Sequence, residues 1–204
     1  EEPWRVAISY LYKVYGRNFL QLELPFMKRI DPEKIRLILE MIEKKINCPL
    51  SSGAGRLFDA VAGLLNLVSI ASFQAEGPMR LESIVNKDIT DRYSFTSDNS
   101  IHFEETIKQI VDDLIKGMDI PTIATKFHNT IIYVIFESVK AIWEKEGIRK
   151  VVLSGGVFQN KYLLEGTTLL LQKNNFDVYS HATVPANDGG IALGQLAVAA
   201  KRRE

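Results

Sequence analysis

The 204-residue sequence contains few of the residues that form disulfides and metal clusters. Its one cysteine, Cys48, excludes an internal disulfide and a cysteine-based zinc cluster within the chain. The neighbouring sequence offers Cys48 no paired histidine, so we interpret it as a small buried apolar residue and not as a nucleophile. The three histidines, His102, His128 and His181, are dispersed, and no two of them have the short spacing of a helical metal motif.

The sequence also lacks an excess of charge and a long apolar run. Its 25 basic and 25 acidic residues balance, which argues against a nucleic-acid partner or a membrane-surface role. The longest apolar stretch, residues 60–70, is broken by Gly63 and Asn66 and falls well short of the roughly 20 residues that span a bilayer. The first residues have neither the basic start nor the apolar centre of a signal peptide. We therefore expect no membrane helix, no nucleic-acid partner and a cytoplasmic protein.

The first 90 residues have the apolar spacing of helices with recognisable starts and stops. The expected features are a helix over Pro3–Tyr15 ended by Gly16, a helix capped by Asp31 with Pro32 at its first position, an apolar helix capped by Ser51 or Ser52, and a helix over residues 73–85.

The segment from Gly53 onward superficially suggests a dinucleotide-binding fingerprint. That interpretation fails because Phe58 occupies the third glycine position and no strand is expected before the loop. Arg56 and Asp59 are three residues apart and so share one helical face, which keeps a functional role open for this segment.

The rest of the chain mixes strands with helices. A small hairpin is expected about the turn at residues 97–99, followed by two long helices, and His128 in the second of these is interpreted as a packing residue. The closing section alternates strand, helix, strand and helix, an order that favours parallel strands joined by a right-handed crossover. We therefore predict a helix-rich α/β fold with a helical part over residues 1–90 and an α/β part over residues 91–204. The predicted spans are helices over 104–116, 120–145, 159–173 and 189–200, and strands over 149–153 and 176–180.

Two glycine pairs, Gly155-Gly156 and Gly189-Gly190, lie in this closing section. Each pair is expected to follow a strand and lead into a helix, at the sheet edge where ligands of α/β proteins bind. Adjacent glycines permit positive φ and let the backbone approach a phosphate or sugar closely. We therefore expect both turns to contribute to one anion site, most simply for a nucleotide. The pattern is not a Walker P-loop, because no lysine followed by serine or threonine comes after the turn.

Polar residues beside the turns are the candidate ligands. Asn160 could hydrogen-bond a ribose or phosphate oxygen, and Asp188 could either bind a metal or only cap the final helix. A single carboxylate is too few ligands for a metal, so any metal site needs partners from elsewhere. Ser154 does not lie inside a Gly-x-Ser-x-Gly elbow, and spacing assigns it no histidine or acid, so hydrolase chemistry is poorly supported.

With these residues in view, the sequence resembles the carbamoyltransferase HypF family, which acts in the maturation of nickel–iron hydrogenases. The resemblance covers nearly the whole chain, and its landmarks occur in the family's order. They are residues 2–5, 51–62, 127–130, 154–160 and 185–195.

The resemblance implies an actin-like ATPase (ASKHA) architecture, similar to the enzymes that make threonylcarbamoyladenosine in tRNA. It implies a reaction in which carbamoyl phosphate and ATP form carbamoyladenylate, and the carbamoyl group passes to the C-terminal cysteine of the partner protein HypE. By similarity, Gly155, Gly156 and Asn160 would line the nucleotide together with Gly189, and Arg56 would reach the same cleft.

The resemblance also implies that Asp188 ligates a divalent metal, completed by paired histidines of a lobe upstream of residue 1. This chain has no His-x-x-x-His motif, and it lacks the family's zinc-finger, carbamoyl-phosphate-hydrolysing and adenylating domains. We therefore expect it to be the C-terminal portion of a longer enzyme and to be inactive alone. Two alternatives stay open: a related O-carbamoyltransferase of a small-molecule acceptor, and a non-catalytic nucleotide-binding or scaffolding module.

Overall fold

The computed structural model describes residues 2–98 and 100–203 and shows a helix-rich α/β fold with two small sheets. This confirms the predicted fold class. Among the described residues, no helix is both long and apolar enough to cross a membrane. The helices are α1 (Pro3–Tyr15), α2 (Pro32–Glu43), α3 (Ala54–Leu64), α4 (Glu76–Ser83), α5 (Glu104–Ile115), α6 (Ile120–Glu146), α7 (Lys161–Lys173) and α8 (Ile191–Lys201), and the strands are β1 (Thr96–Ser97), β2 (Ile101–His102), β3 (Lys150–Leu153) and β4 (Asp177–Ser180).

The chain divides into two compact units, Glu1–Thr130 and Ile131–Glu204. The boundary therefore falls within α6, and not between residues 90 and 91 where the sequence placed it. The hairpin and α5 belong to the first unit, so that unit is larger than the predicted helical part.

The capping residues read from the sequence act at the first two helices. Asp31 caps α2 by accepting a hydrogen bond from the Glu33 backbone N–H at 2.9 Å, with Pro32 at the first helical position. Gly16 ends α1 with a φ of 58°, a value that costs glycine little because it has no Cβ. Both predictions are confirmed.

Other local predictions were wrong. The cap of α3 is Gly53, and Ser51 instead accepts a hydrogen bond from the Gly53 backbone N–H at 3.3 Å. The helix expected over residues 73–85 is confined to Glu76–Ser83, which places Pro78 in its first turn. Cys48 is exposed and not buried.

The core of the first unit depends on close packing of α1 against α3. A Cβ added at Gly63 would lie 2.8 Å from the Pro3 backbone oxygen, so only glycine permits this approach. The helices are amphipathic, and their apolar sides are buried. Fully buried side chains of this core include Ile8, Leu11, Phe58, Leu64, Ile107, Ile110, Ile123 and Phe127.

A largely buried polar cluster joins the loop before β1 to α5 and α6. The Tyr93 hydroxyl donates to Asp113 Oδ2 at 2.9 Å, and Lys126 Nζ lies 2.5 Å from the same oxygen. The Lys126 ammonium is also 4.3 Å from the centroid of the Tyr93 ring. Burial and the Asp113 carboxylate raise the pKa of Tyr93 far above its usual value, so this phenol stays protonated and keeps donating.

The second unit is built on a parallel strand pair. β3 and β4 align Leu153 with Ser180, and α7 connects them. This confirms the predicted parallel neighbours. Leu153, Leu171 and Phe176 form its small core, with Trp143 of α6 packed against it. Helix α8 contributes no buried residue, and its large apolar side chains are more than half exposed.

His128 is a packing residue, in agreement with the sequence interpretation. Its side chain is fully buried, and its ring lies 5.3 Å from the Phe58 ring and 6.0 Å from the Phe127 ring between centroids. Its Nδ1 lies 2.7 Å from the Ala124 backbone oxygen, so Nδ1–H donates there. Burial lowers the pKa of His128 to about 4.

Replacing His128 by glutamine is expected to weaken the pH dependence of stability. The folded state protonates His128 at a pKa of about 4 and the unfolded chain at about 6.5, so between these values the unfolded chain binds more protons. The free energy of unfolding therefore falls as the pH drops from about 6.5 towards 4, and His128 accounts for about 2 kcal/mol between pH 7.5 and 5. Urea unfolding of both proteins at these two pH values measures the difference.

The control is Ile123→Val, which removes one buried methyl group from the same core and no titratable group. This variant should keep the wild-type difference between pH 7.5 and 5. An equal pH dependence in His128→Gln and wild type would contradict the assignment.

Candidate functional site

The first glycine turn begins where β3 ends. Gly155 has φ 110° and ψ 156°, a backbone conformation that residues with a Cβ rarely adopt. A 3₁₀ turn over Gly156–Gln159 then leads into α7. A Cβ built on Gly155 would meet no atom within 4 Å, so the turn has open space beside it. This geometry allows a ligand to approach the backbone.

Asn160 lies at the junction of this turn with α7. Its side chain is 8% exposed, and Oδ1 accepts a hydrogen bond from the Leu163 backbone N–H at 2.8 Å. Asn160 is therefore the N-cap of α7. Oδ1 is thus engaged as an acceptor by the helix, and the donor group of this side chain is Nδ2.

The second glycine turn differs from the prediction in two respects. It does not follow its strand directly, because residues 181–187 separate β4 from the 3₁₀ turn Asp188–Gly190. Gly189 and Gly190 also have ordinary negative φ values. Glycine is needed here for close packing, since a Cβ on Gly190 would lie 3.0 Å from the Pro185 backbone oxygen.

Asp188 is not the cap of this turn. Asn187 caps it by accepting a hydrogen bond from the Gly189 backbone N–H at 3.0 Å. The side chain of Asp188 is exposed, so the helix-cap interpretation of this residue is wrong. A carboxylate in this position is accessible to a cation.

Two hydrogen bonds connect the first glycine turn to the loop before the second. The Gly155 backbone N–H donates to the Ala186 backbone oxygen at 2.9 Å. Ser154 Oγ and His181 Nε2 are 2.8 Å apart and share a second hydrogen bond. The structure thus brings the loop that carries Asp188 against the turn that carries Gly155.

Sequence reasoning missed the pairing of Ser154 with His181. Each of these residues directly follows a strand, and the strand ends Leu153 and Ser180 are register partners. Because the parallel strands were predicted to end at Leu153 and Ser180, an assumption that these two ends are in register would have placed Ser154 beside His181.

A cavity of about 390 Å³ adjoins the same loops, a volume within the range of small-molecule sites. His181 and Ser180 contribute polar groups to its wall, together with Gln159. Its other lining residues are mostly apolar and comprise Leu153, Phe158, Leu164 and residues 182–186.

The donors for a metal are incomplete within residues 2–98 and 100–203. No group of three histidine, cysteine, aspartate or glutamate side chains in these ranges could hold a metal ion. Asp188 supplies one hard oxygen ligand of the kind that divalent cations bind. Further ligands would have to come from outside these residues.

Arg56 lies in the first unit, in the first turn of α3. Its guanidinium Nη1 is 3.0 Å from Asp59 Oδ2, so the two residues share one helical face as expected. The Arg56 side chain is about half exposed. Its contact with a nucleotide stays a prediction.

The second unit has the features of an α/β protein that binds an anionic ligand. Parallel strands carry at their carboxyl ends a glycine turn that leads into a helix, which is where such proteins bind phosphate groups. A family model described as "Carbamoyltransferase, Kae1-like Domain, second subdomain" matches residues 1–195. The chain belongs to the HypF carbamoyltransferase family.

Curated relatives agree with this assignment. The chain is 30% identical to carbamoyltransferase HypF of Synechocystis over 220 residues, which cover 99% of this chain and 28% of the relative. It is 32% identical to a probable carbamoyltransferase HypF of Methanocaldococcus jannaschii over 199 residues, which cover 95% of this chain and 25% of the relative. The chain thus spans about a quarter of the length of these relatives.

Solved structures show the same fold. A crystal structure of full-length HypF in a phosphate- and nucleotide-bound form superposes with a TM-score of 0.88 at 35% identity, covering 98% of this chain and 32% of that protein. The HypF structure from T. kodakarensis gives a TM-score of 0.80 at 24% identity, covering 95% of this chain and 26% of that protein, and supports the fold alone.

Replacing Asn160 tests its role as the cap of α7. Asn160→Ala is expected to lower the free energy of unfolding by about 1 kcal/mol, because the first turn of α7 loses its cap. Asn160→Ser keeps an oxygen that can accept from Leu163 N–H, so it should cost clearly less. Urea unfolding compares the two variants, and equal losses would show that the cap is not what Asn160 contributes.

Proposed function

We propose that this chain is the C-terminal part of a HypF-like carbamoyltransferase. The complete enzyme uses carbamoyl phosphate and ATP, through carbamoyladenylate, to carbamoylate the C-terminal cysteine of HypE during nickel–iron hydrogenase maturation. The observation that carries the proposal is the match of the HypF family model to residues 1–195. The cytoplasmic location expected from the sequence belongs to this proposal.

In this proposal the first glycine turn binds the nucleotide. A related full-length HypF was crystallised in a phosphate- and nucleotide-bound form. Gly155 and Gly156 leave their side of the turn open, since a Cβ on Gly156 would meet only Asn187 Cβ, at 3.9 Å. Backbone amides at the start of a helix suit the charge of a phosphate group. Nδ2 of Asn160 would donate to a ribose or phosphate oxygen.

The second turn has a different part in the proposal. Gly189 and Gly190 let the turn pack tightly against Pro185. Asp188 is the first residue of this turn, directly after its cap, Asn187. Asp188 would contribute one carboxylate to a divalent cation, which two histidines of the upstream lobe complete. That cation would offset the negative charge of the nucleotide phosphates. Because the described residues hold no complete set of metal ligands, the proposed metal site and activity need the upstream domains.

The acceptor is expected to be a HypE-like protein that presents a terminal cysteine. Transfer joins the cysteine sulfur to the carbamoyl carbon, breaks the bond from that carbon to the phosphate oxygen, and releases AMP. The upstream domains of the same polypeptide would form and deliver the activated carbamoyl group. Arg56 is a further candidate for contact with the nucleotide.

Asp188→Ala in the full-length protein is expected to lower both bound metal and carbamoyl transfer to HypE. Loss of a direct ligand should weaken metal binding by at least about tenfold, because mutating a residue that only hydrogen-bonds to a metal ligand already has an effect of about that size. Metal content by elemental analysis and carbamoylated HypE by mass spectrometry report the two effects.

The control is Asp177→Ala, which removes an exposed carboxylate from β4 of the same unit. It should leave both quantities at the wild-type level. If Asp188→Ala also retains wild-type metal content and transfer, Asp188 has no such role.

A further inference from the structure

Ser154 and His181 form a pair that the family assignment does not explain. β3 and β4 run in parallel and end at the aligned residues Leu153 and Ser180. The residues that follow the two strands, Ser154 and His181, therefore lie side by side. Ser154 Oγ and His181 Nε2 are 2.8 Å apart and share a hydrogen bond. The pair lies at the carboxyl edge of the sheet, and Ser154 directly precedes Gly155.

The environment of the pair suits proton transfer. Both side chains are exposed, so a substrate can reach them. Within residues 2–98 and 100–203, no carboxylate forms an ion pair with His181, and its Nδ1 has no hydrogen-bond partner. Histidine exchanges protons near neutral pH, which makes it the usual general base in enzymes.

The hydrogen bond to Ser154 determines which nitrogen can act. When Ser154 Oγ accepts from Nε2–H, the neutral ring carries its lone pair on Nδ1. When Nδ1 then takes a proton, the bond from Nε2–H to Ser154 becomes charge-assisted and strengthens. Ser154 thus orients the ring and leaves Nδ1 as the nitrogen that accepts the proton.

We propose that His181 is the general base that takes the proton of the acceptor thiol, at Nδ1, and that Ser154 is the residue that positions its ring. This inference rests on the proposed carbamoyl transfer and adds a residue to it. The thiol proton passes to His181, and the sulfur forms its bond to the carbamoyl carbon. The bond from that carbon to the phosphate oxygen breaks, and AMP leaves with the electron pair.

The cavity beside the pair provides room for the acceptor. His181 lines the cavity of about 390 Å³ together with apolar residues such as Phe158 and Val184. Its apolar side chains suit the uncharged thiol end of a chain.

The structure favours this role over a covalent role for Ser154. A nucleophilic serine relies on a histidine that a third group orients. Among the described residues no such group bonds to His181 Nδ1. We therefore assign the reacting lone pair to Nδ1 of His181 and treat Ser154 as the residue that positions the ring.

The test uses the full-length protein with HypE as the acceptor and separates two steps. Carbamoyl-phosphate-dependent release of pyrophosphate from ATP reports adenylate formation, and the mass of HypE reports transfer. His181→Gln is expected to lower transfer about 100-fold or more, while pyrophosphate release is unchanged. Ser154→Ala should lower transfer about tenfold, the effect of losing one ordinary hydrogen bond.

A second variant separates chemistry from folding. His181→Ala should regain transfer when free imidazole is added, since a base in solution can replace the missing ring but cannot restore lost packing. His102→Gln, in the first unit, is the matched control and should behave as wild type in both steps.

Several results would overturn the assignment. They are unchanged transfer in His181→Gln, a parallel loss of pyrophosphate release and transfer, failure of imidazole to rescue His181→Ala, and a carbamoyl adduct on Ser154 in the wild type. If the wild type itself neither releases pyrophosphate nor modifies HypE, the proposed function fails, and the role of His181 fails with it.

Discussion

The candidate site depends on the parallel pairing of two four-residue strands. Because β3 and β4 end in register at Leu153 and Ser180, the loops that follow them leave the sheet side by side. The Gly155 amide can then bind the Ala186 carbonyl, and Ser154 can bind His181. A slip of this register would separate the two loops, since every residue of one strand would face a new neighbour.

The core below the strands maintains that register. Leu153 at the end of β3 packs with Leu171 of α7 and Phe176 just before β4. These three residues come from the first strand, the crossover helix and the position just before the second strand, so one small cluster links the whole βαβ unit. Asn160 caps the N-terminus of the crossover helix, and Gly155 supplies the positive φ of the turn that leads from β3 to this helix. Residues predicted to contact the nucleotide therefore also have structural roles.

Local chemistry was sufficient to predict much of the fold. Asp31, Pro32 and Gly16 act through their own backbone neighbourhood, so their effects are readable from a few residues. The long helices and the parallel strands follow from periodicity and alternation in the same way. The paired glycines beside predicted strands indicated the candidate turns, and the structure placed the two loops together.

What the sequence could not show depends on tertiary neighbours. The exposure of Cys48 and the partnership of Ser154 with His181 are decided by residues distant in the chain. Asp188 could not be separated from a capping role, because Asn187 beside it is an equally good cap and only the structure shows which one is used. No set of residues that could complete a metal site with Asp188 occurs among those the structure describes.

The central claim is that the first glycine turn binds the nucleotide and that the loop carrying the second turn lies beside it in the same site. Amide hydrogen exchange of the full-length protein, measured with and without ATP and Mg²⁺, tests it directly. Nucleotide should slow exchange in peptides covering residues 154–160 and in peptides covering residues 181–190 together, because bound phosphate would engage the first turn and hydrogen bonds hold the second loop against it. Protection confined to other parts of a protein that demonstrably binds the nucleotide would contradict the account.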